Sequence, residues 1–236
     1  MPVALITGAS RGIGAATARR FAAEGYDLLL VARSSGDLEA LAAELRAPDR
    51  RIEIQALDLA RSEAIPGAME NLLGRGLLPS VVINNAGAAW TGPLAAMPIE
   101  RWQWLLQLNL TSVFQVCQAV LPALRRAGGG RIINVSSHAA RNAFPEWGAY
   151  CVSKAALAAL SRCLEAEERS AGIAVSTLTL GAVNTPLWDS ETVHSSFDRR
   201  AMLSAEQVAE SLLYLARQPH SQTVEDLTLM PAAGAF

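Results

Sequence analysis

Short apolar runs recur along the chain at strand length: VALI at 3–6, LLLVA at 28–32, IEIQAL at 52–57, SVVINN at 80–85, RIINVS at 131–136, AVSTLTL at 174–180 and DLTLM at 226–230. Most are nearly continuous in apolar residues rather than alternating, the pattern of strands covered on both faces. Helix-length segments rich in Ala, Leu, Glu and Arg lie between them. Strand and helix in alternation predict an α/β fold: one Rossmann-like, doubly wound parallel sheet of about seven strands with helices on both faces. No repeat, low-complexity linker or composition shift divides residues 1–236, which are expected to form one domain. RAGGG at 126–130 reads as a turn before a strand, with Gly129 or Gly130 ending the preceding helix.

Residues 184–204 carry no clear period, and they are expected to form a substrate-binding loop within the domain. Loops of this length are uncommon in compact domains and tend to act as lids. Trp188, Phe197, Met202 and Leu203 would be costly to leave in water.

Composition narrows the class. Of 236 residues, 51% are apolar and 18% charged, with a net charge of −2, which argues against a basic surface for nucleic acid. The three cysteines, Cys117, Cys151 and Cys163, form no CxxC pair, so they are expected to be small buried hydrophobes, with no metal site. No apolar run approaches the ~18 residues of a membrane span. The apolar start of the chain lacks a charged leader and meets Gly8 at once. A cytoplasmic protein is expected.

The first strand–turn–helix reads LITGASRGIG at 5–14 followed by GAATARRFAAEG. Gly8, Gly12 and Gly14 let the backbone turn tightly and approach a pyrophosphate, while the helix N-terminus offers unpaired N–H groups and partial positive charge. The spacing is GxxxGxG rather than GxGxxG. At the tip of the second strand, where a carboxylate would bind a ribose 2′-OH, stand Ala32 and Arg33; the nearest acid, Asp37, falls in the next helix. Arg33 with Arg11 suits a 2′-phosphate, so NADP(H) is favoured over NAD(H). Asp58, closing the third strand, either accepts from an adenine amino group or caps the next helix.

AYCVSKAAL at 149–157 places Tyr150 and Lys154 four apart, on one face of a helix. A phenol with a pKa near 10 is a poor acid–base group at neutral pH. A cation about 4 Å away, at an effective dielectric of ~20, supplies about 4 kcal/mol toward lowering it. Ser137, or adjacent Ser136, ends the fifth strand and can hold a carbonyl oxygen beside the phenol. NNAG at 84–87 ends the fourth strand, and its glycine permits close passage of a cofactor. Asn109, in LLQLNLTSVFQV, must satisfy its amide inside an apolar helix, and a helix–helix hydrogen bond would do so.

Together, TGASRGIG at 7–14, Asp58-Leu59, NNAG, Asn109, the serines at 136–137, YCVSK at 150–154, and Val183 with Thr185 resemble the short-chain dehydrogenase/reductase family over essentially the whole chain. Arg11 and Arg33 resemble those of its NADP-preferring members, and on family grounds the chain is similar to a 3-oxoacyl-carrier-protein-reductase-like member. The resemblance implies an oxidoreductase that moves hydride between NADP(H) and a carbonyl or alcohol. It implies Tyr150 as acid–base, Ser137 orienting the substrate oxygen, Lys154 lowering the Tyr150 pKa and meeting the nicotinamide ribose, and Asn109 anchoring a relay water. It implies a cofactor site of Gly8, Ser10, Arg11, Gly12, Ile13, Gly14, Arg33, Asp58, Leu59, Asn85, Ala86, Gly87, Tyr150, Lys154, Val183 and Thr185. One departure is Leu180-Gly181, where the family usually has Pro-Gly and the rigid φ of proline is lost.

His138, Phe144, Trp147, Trp188 and Trp90 are candidate pocket residues and suggest an apolar or planar carbonyl compound. Arg125, Arg126, Arg199 and Arg200 could dock an acidic carrier or be solvated charges. KAALAALSRCLEAE at 154–167 and NLTSVFQVCQAVL at 109–121 carry apolar or small residues on nearly every side, which predicts a homodimer or homotetramer through these helices, joined by the tail LMPAAGAF. A non-catalytic NADP-binding sensor on the same fold would show erosion among the four chemical positions, and none is eroded. Sugar-nucleotide epimerisation would call for a longer substrate region than the roughly 50 residues after Thr185.

Overall fold

The computed structural model describes residues 1–195 and 197–234. Seven strands, β1 (Val3–Thr7), β2 (Asp27–Ala32), β3 (Ile52–Ala56), β4 (Val81–Asn84), β5 (Gly130–Ser137), β6 (Ile173–Leu180) and β7 (Asp226–Leu229), form one sheet in the order β3-β2-β1-β4-β5-β6-β7. Every pairing is parallel. From β1 the chain winds outward to β3, then crosses to β4 on the other side. The switch between β1 and β4 opens a crevice at the carboxyl ends of the strands.

The continuous apolar runs serve two cores. Ala4 and Ile6 of β1, with Leu28 and Leu30 of β2, face α1 (Gly12–Ala23), α2 (Ser35–Glu44) and α7 (Ala205–Ala216). Their neighbours Val3, Leu5, Leu29 and Val31 face α3 (Ile65–Gly74), α5 (Ser112–Arg126) and α6 (Gly148–Glu168). Successive side chains point to opposite faces of a strand, so both parities must be apolar when both faces are covered.

Three local expectations change. Gly128, not Gly129 or Gly130, terminates α5: its φ is +79°, and the Gly128 and Gly129 amides donate back to the Arg125 and Leu124 carbonyls. Gly130 already belongs to β5. Cys117 is fully buried, and burial pushes its thiol up to about 12, but Cys163 is exposed and Cys151 half-buried. Finally, α4 (Ile99–Leu106), a π turn (Gln107–Thr111) and α5 join into one helix over Ile99–Arg126. By length and composition that helix could cross a membrane. In this fold its apolar residues Val113, Val116, Val120 and Leu124 pack against the sheet.

The segment 184–204 is more structured than its sequence suggests. It holds two short 3-10 turns, Pro186–Asp189 and Arg199–Ala201, and a parallel bridge joins Val183 to Leu203. Its buried Val193 and Leu203 pin it to the domain.

Candidate active site

The crevice is a cleft of about 900 Å³ that runs across the carboxyl ends of the strands. At its β1 end the backbone is shaped by contact. Gly8 has φ +66°, and a Cβ there would lie 2.9 Å from the Ala86 Cα. A Cβ on Gly14 would lie 2.1 Å from the Gly8 carbonyl oxygen, so Gly14 lets helix and turn touch but does not itself line the cleft. Thr7 and Asn85 lash β1 to β4: the Asn85 and Ala86 amides donate to Thr7 Oγ1, and Asn85 Nδ2 donates to the Thr7 carbonyl at 2.9 Å. No side chain caps α1, since its N-cap is Arg11. The first-turn N–H groups of α1 are thus open to an anion beside a glycine-lined wall, which fits a dinucleotide pyrophosphate.

Arg11 and Arg33 line this end, and neither is in an ion pair among the described residues. So does Asp37, which the sequence placed merely in the next helix. The Ser34 hydroxyl accepts from the Asp37 amide at 3.2 Å, starting α2 with that carboxylate on the cleft side. The Asp58 carboxylate accepts from the Ala60 amide at 3.0 Å, closing a local turn rather than capping α3, which begins at Ile65 after a 3-10 turn. Ser10, Gly12, Ile13, Leu59, Gly87, Val183 and Thr185 also line the cleft.

At the β5 end, Ser137 closes the strand and Tyr150 stands in the first turn of α6. Ser136 turns inward, its hydroxyl 3.5 Å from the Lys154 carbonyl. The Ser137 hydroxyl bonds the Tyr150 phenol and pulls its pKa down, but burial is the larger influence and the phenol stands above its ordinary value. The expected electrostatic lowering by Lys154 is therefore corrected. Lys154 Nζ lies 5.8 Å from the Tyr150 ring centre and donates to the Val135 carbonyl at 2.9 Å. Burial lowers the ammonium's own pKa to about 8. The two groups do share one face and one cleft.

Asn109 is fully buried and does not line the cleft. Its Oδ1 accepts from the Ala88 amide and its Nδ2 donates to the Ala88 carbonyl, both at 2.9 Å, and to Ser153 Oγ at 3.0 Å. Ser153 in turn donates to the Tyr150 carbonyl at 2.8 Å. Both amide hydrogens are thus used within the protein. Asn109 is a clamp that ties the loop after β4 to the start of α6.

His138, Phe144, Trp147 and Trp188 line the outer cleft, whereas Trp90 folds over Gly92 and does not. The Asn142 amide engages His138 Nε2 at 2.9 Å. Phe197, which the sequence marked as a ring to be buried without assigning it to the pocket, lines this end with Ser190 and Thr192, which no motif marked beyond their place in the 184–204 loop.

The model of the short chain dehydrogenase family matches residues 2–195 of this chain. The chain belongs to that family. This short-chain dehydrogenase is 36% identical over 194 residues to a D-threitol dehydrogenase of Mycolicibacterium smegmatis, covering 79% of the chain and 74% of that protein. It superposes with a TM-score of 0.89 and 32% identity on an alcohol dehydrogenase of the archaeon Thermococcus sibiricus complexed with 5-hydroxy-NADP, covering 98% and 97% of the two chains. A carveol dehydrogenase of Mycobacterium avium in complex with NAD aligns with a TM-score of 0.87 and 25% identity, covering 98% and 96%. It is thus an oxidoreductase of the short-chain type, with a Rossmann-like sheet.

Proposed function

We propose that this oxidoreductase interconverts a carbonyl and an alcohol with Tyr150 as its acid–base and NADP(H) as its preferred cofactor. The observation that carries the reading is the joint placement of Ser137, Tyr150 and Lys154 in one cleft with an uncapped, glycine-lined helix N-terminus. A nicotinamide held along the glycine-lined wall would supply the hydride for the carbonyl carbon, or accept it from the alcohol. Tyr150 Oη gives its proton to the oxygen during reduction and takes it back during oxidation. Ser137 Oγ holds the same oxygen, and two donors directed at one developing alkoxide stabilise it. Lys154, anchored on Val135, keeps a positive charge behind the phenol. Asn109 positions the start of α6 through Ser153.

The NADP preference rests on two guanidiniums, Arg11 and Arg33, that line the cleft near Asp37 and Asp58 and are in no ion pair among the described residues. A guanidinium fork matches a phosphate dianion. Relatives of this fold are found with an NADP derivative and with NAD, so titration of both cofactors against Arg33→Ala is the direct test.

The carrier-protein subtype gains little support from the arginines that could dock it. Arg125 and Arg126 end α5 just before β5, neither lines the cleft, and Arg125 is paired with Glu168. Arg199 pairs with Asp189 and Arg200 with Asp198. A homodimer or homotetramer is supported by the exposed Phe114 of α5 and Val152 of α6. Part of the proposed tail contact, Ala235 and Phe236, lies outside the described residues. The free thiols fit a reducing, cytoplasmic setting.

Tyr150→Phe tests the chemistry. It should bind NADPH nearly as the wild type does, by fluorescence titration, yet turn over at least ~100-fold more slowly. Unchanged turnover would remove Tyr150 from the mechanism.

A further inference from the structure

The outer cleft is walled by a continuous run of aromatic rings. Tyr150 and Trp147 have centroids 5.7 Å apart at 71°, Trp147 and Trp188 5.7 Å apart at 60°, and Trp188 and Phe197 5.7 Å apart at 78°. The run starts at the proposed acid–base and leads outward. Phe197 at its far end keeps 37% of its surface exposed. Edge-to-face stacking fixes these rings relative to one another, so the wall is built before any substrate arrives.

The polar groups along the same wall are already engaged with the protein. The Trp188 indole N–H donates to the Val183 carbonyl at 2.8 Å, the Ser190 hydroxyl to the Leu187 carbonyl at 2.7 Å, and the Thr192 hydroxyl to the Ala89 carbonyl at 2.8 Å. A site that reads several substrate hydroxyls must present unpaired donors and acceptors to them. Apart from Lys154 behind the phenol, the formal charge along the cleft is kept from the wall. Arg11, Arg33, Asp37 and Asp58 follow β1, β2 and β3, at the opposite end of the cleft, and Arg199 near the wall is neutralised by Asp189.

We propose that this wall selects an uncharged substrate carrying a planar or aromatic ring next to its carbonyl or carbinol carbon, and discriminates against polyols and charged compounds. The proposal rests on the Tyr150 chemistry above, because the wall begins at that phenol and the ring would lie along Trp147 and Trp188 with the reacting oxygen at Ser137.

The test compares three ketones with NADPH and the whole protein: α-tetralone, a bicyclic aryl ketone; L-sorbose, a polyol; and diacetyl, a small ketone without a ring. Expected are a kcat/KM for α-tetralone on the order of 100-fold above that for L-sorbose and a fall of about tenfold or more in the α-tetralone-to-diacetyl ratio in Trp188→Ala. Trp188→Phe should restore part of that ratio, which separates a lost ring from a misfolded loop. Quenching of the protein's tryptophan fluorescence by α-tetralone, saturable and weakened in Trp188→Ala, gives a readout without turnover. L-sorbose used as well as α-tetralone, or a ratio unmoved by Trp188→Ala, would overturn the proposal while leaving the Tyr150 chemistry standing. Saturable quenching with no reduction of any ketone would instead sink the chemistry and keep the ring-binding wall.

Discussion

Lys154 shows how one residue can serve chemistry at the expense of stability. Its pKa of about 8 lies well below the ordinary lysine value because burial penalises the ammonium. An unfolded chain therefore holds this proton more tightly than the folded one. Stability is reduced below pH 8, where the folded state must bury the charge, and is recovered as pH rises from about 8 to about 10.5, where the folded lysine is neutral. Lys154→Met should consequently raise the unfolding free energy at pH 7 by roughly 1–3 kcal/mol, after allowing for the Val135 carbonyl losing its donor. That advantage should shrink toward pH 10; urea midpoints at both pH values check it. The raised phenol makes a second statement. With Tyr150 as the proposed acid–base, alcohol oxidation should speed up as pH rises into the alkaline range, and carbonyl reduction should slow. Opposite pH limbs in the two directions are the expected result. At Gly14 the constraint is steric: Gly14→Ala puts a carbon 2.1 Å from the Gly8 carbonyl and should cost about 1–3 kcal/mol of stability together with cofactor affinity.

Among the elements, the 184–204 loop draws its two 3-10 turns together through Arg199. Arg199 donates to Asn184 Oδ1 at 2.8 Å, to the Thr185 carbonyl at 3.0 Å and to Asp189 Oδ1 at 2.5 Å. It gathers the first turn of the loop under its last one. The middle of the loop is sewn down by Thr91, whose amide donates to the Thr192 carbonyl and whose hydroxyl accepts from the His194 amide. Because Arg199 is part-exposed, its ion pair contributes little to global stability. Arg199→Ala should therefore leave Tm within a few degrees while raising KM for cofactor and substrate by roughly tenfold, the effect of losing charge-assisted bonds that order the loop. Equal KM values with a large drop in Tm would show Arg199 to be a structural residue only. Its role was hidden in the sequence, where "RR" at 199–200 reads as solvated charge; the partners lie 10 to 15 positions away and meet it only when the loop closes.

For the whole molecule, the cleft divides its labour by position along the sheet. The charged end follows β1 to β3 and the aromatic end follows β5 and β6, with glycines between. Two-sided burial makes the sheet rigid and leaves its carboxyl edge as the place where loops of different origin meet. The exposed apolar side chains Phe114 of α5 and Val152 of α6 predict association: sedimentation at micromolar concentration should give a dimer or tetramer, and Phe114→Glu with Val152→Glu should shift it toward monomer. A wild-type monomer would refute that assignment.

The chain by itself determined the layered sheet, because strands buried on both faces cannot avoid unbroken apolar runs. The glycine turn and the shared helical face of Tyr150 and Lys154 were legible in it as well, whereas position alone left Ser136 and Ser137 open and only the family resemblance chose between them. Only the tertiary structure decided the rest. The direction of the Tyr150 pKa depends on atoms from several elements that exclude water, and no i,i+4 spacing reports it. Asn109 became a clamp because Ala88 and Ser153 reach it from two other segments. Asp37 entered the cleft because a serine cap set the start of α2. The aromatic wall joins residues 147, 150, 188 and 197 from a helix and a distant loop, and hydrophobic period carries no record of which loop residue will fold against which helix.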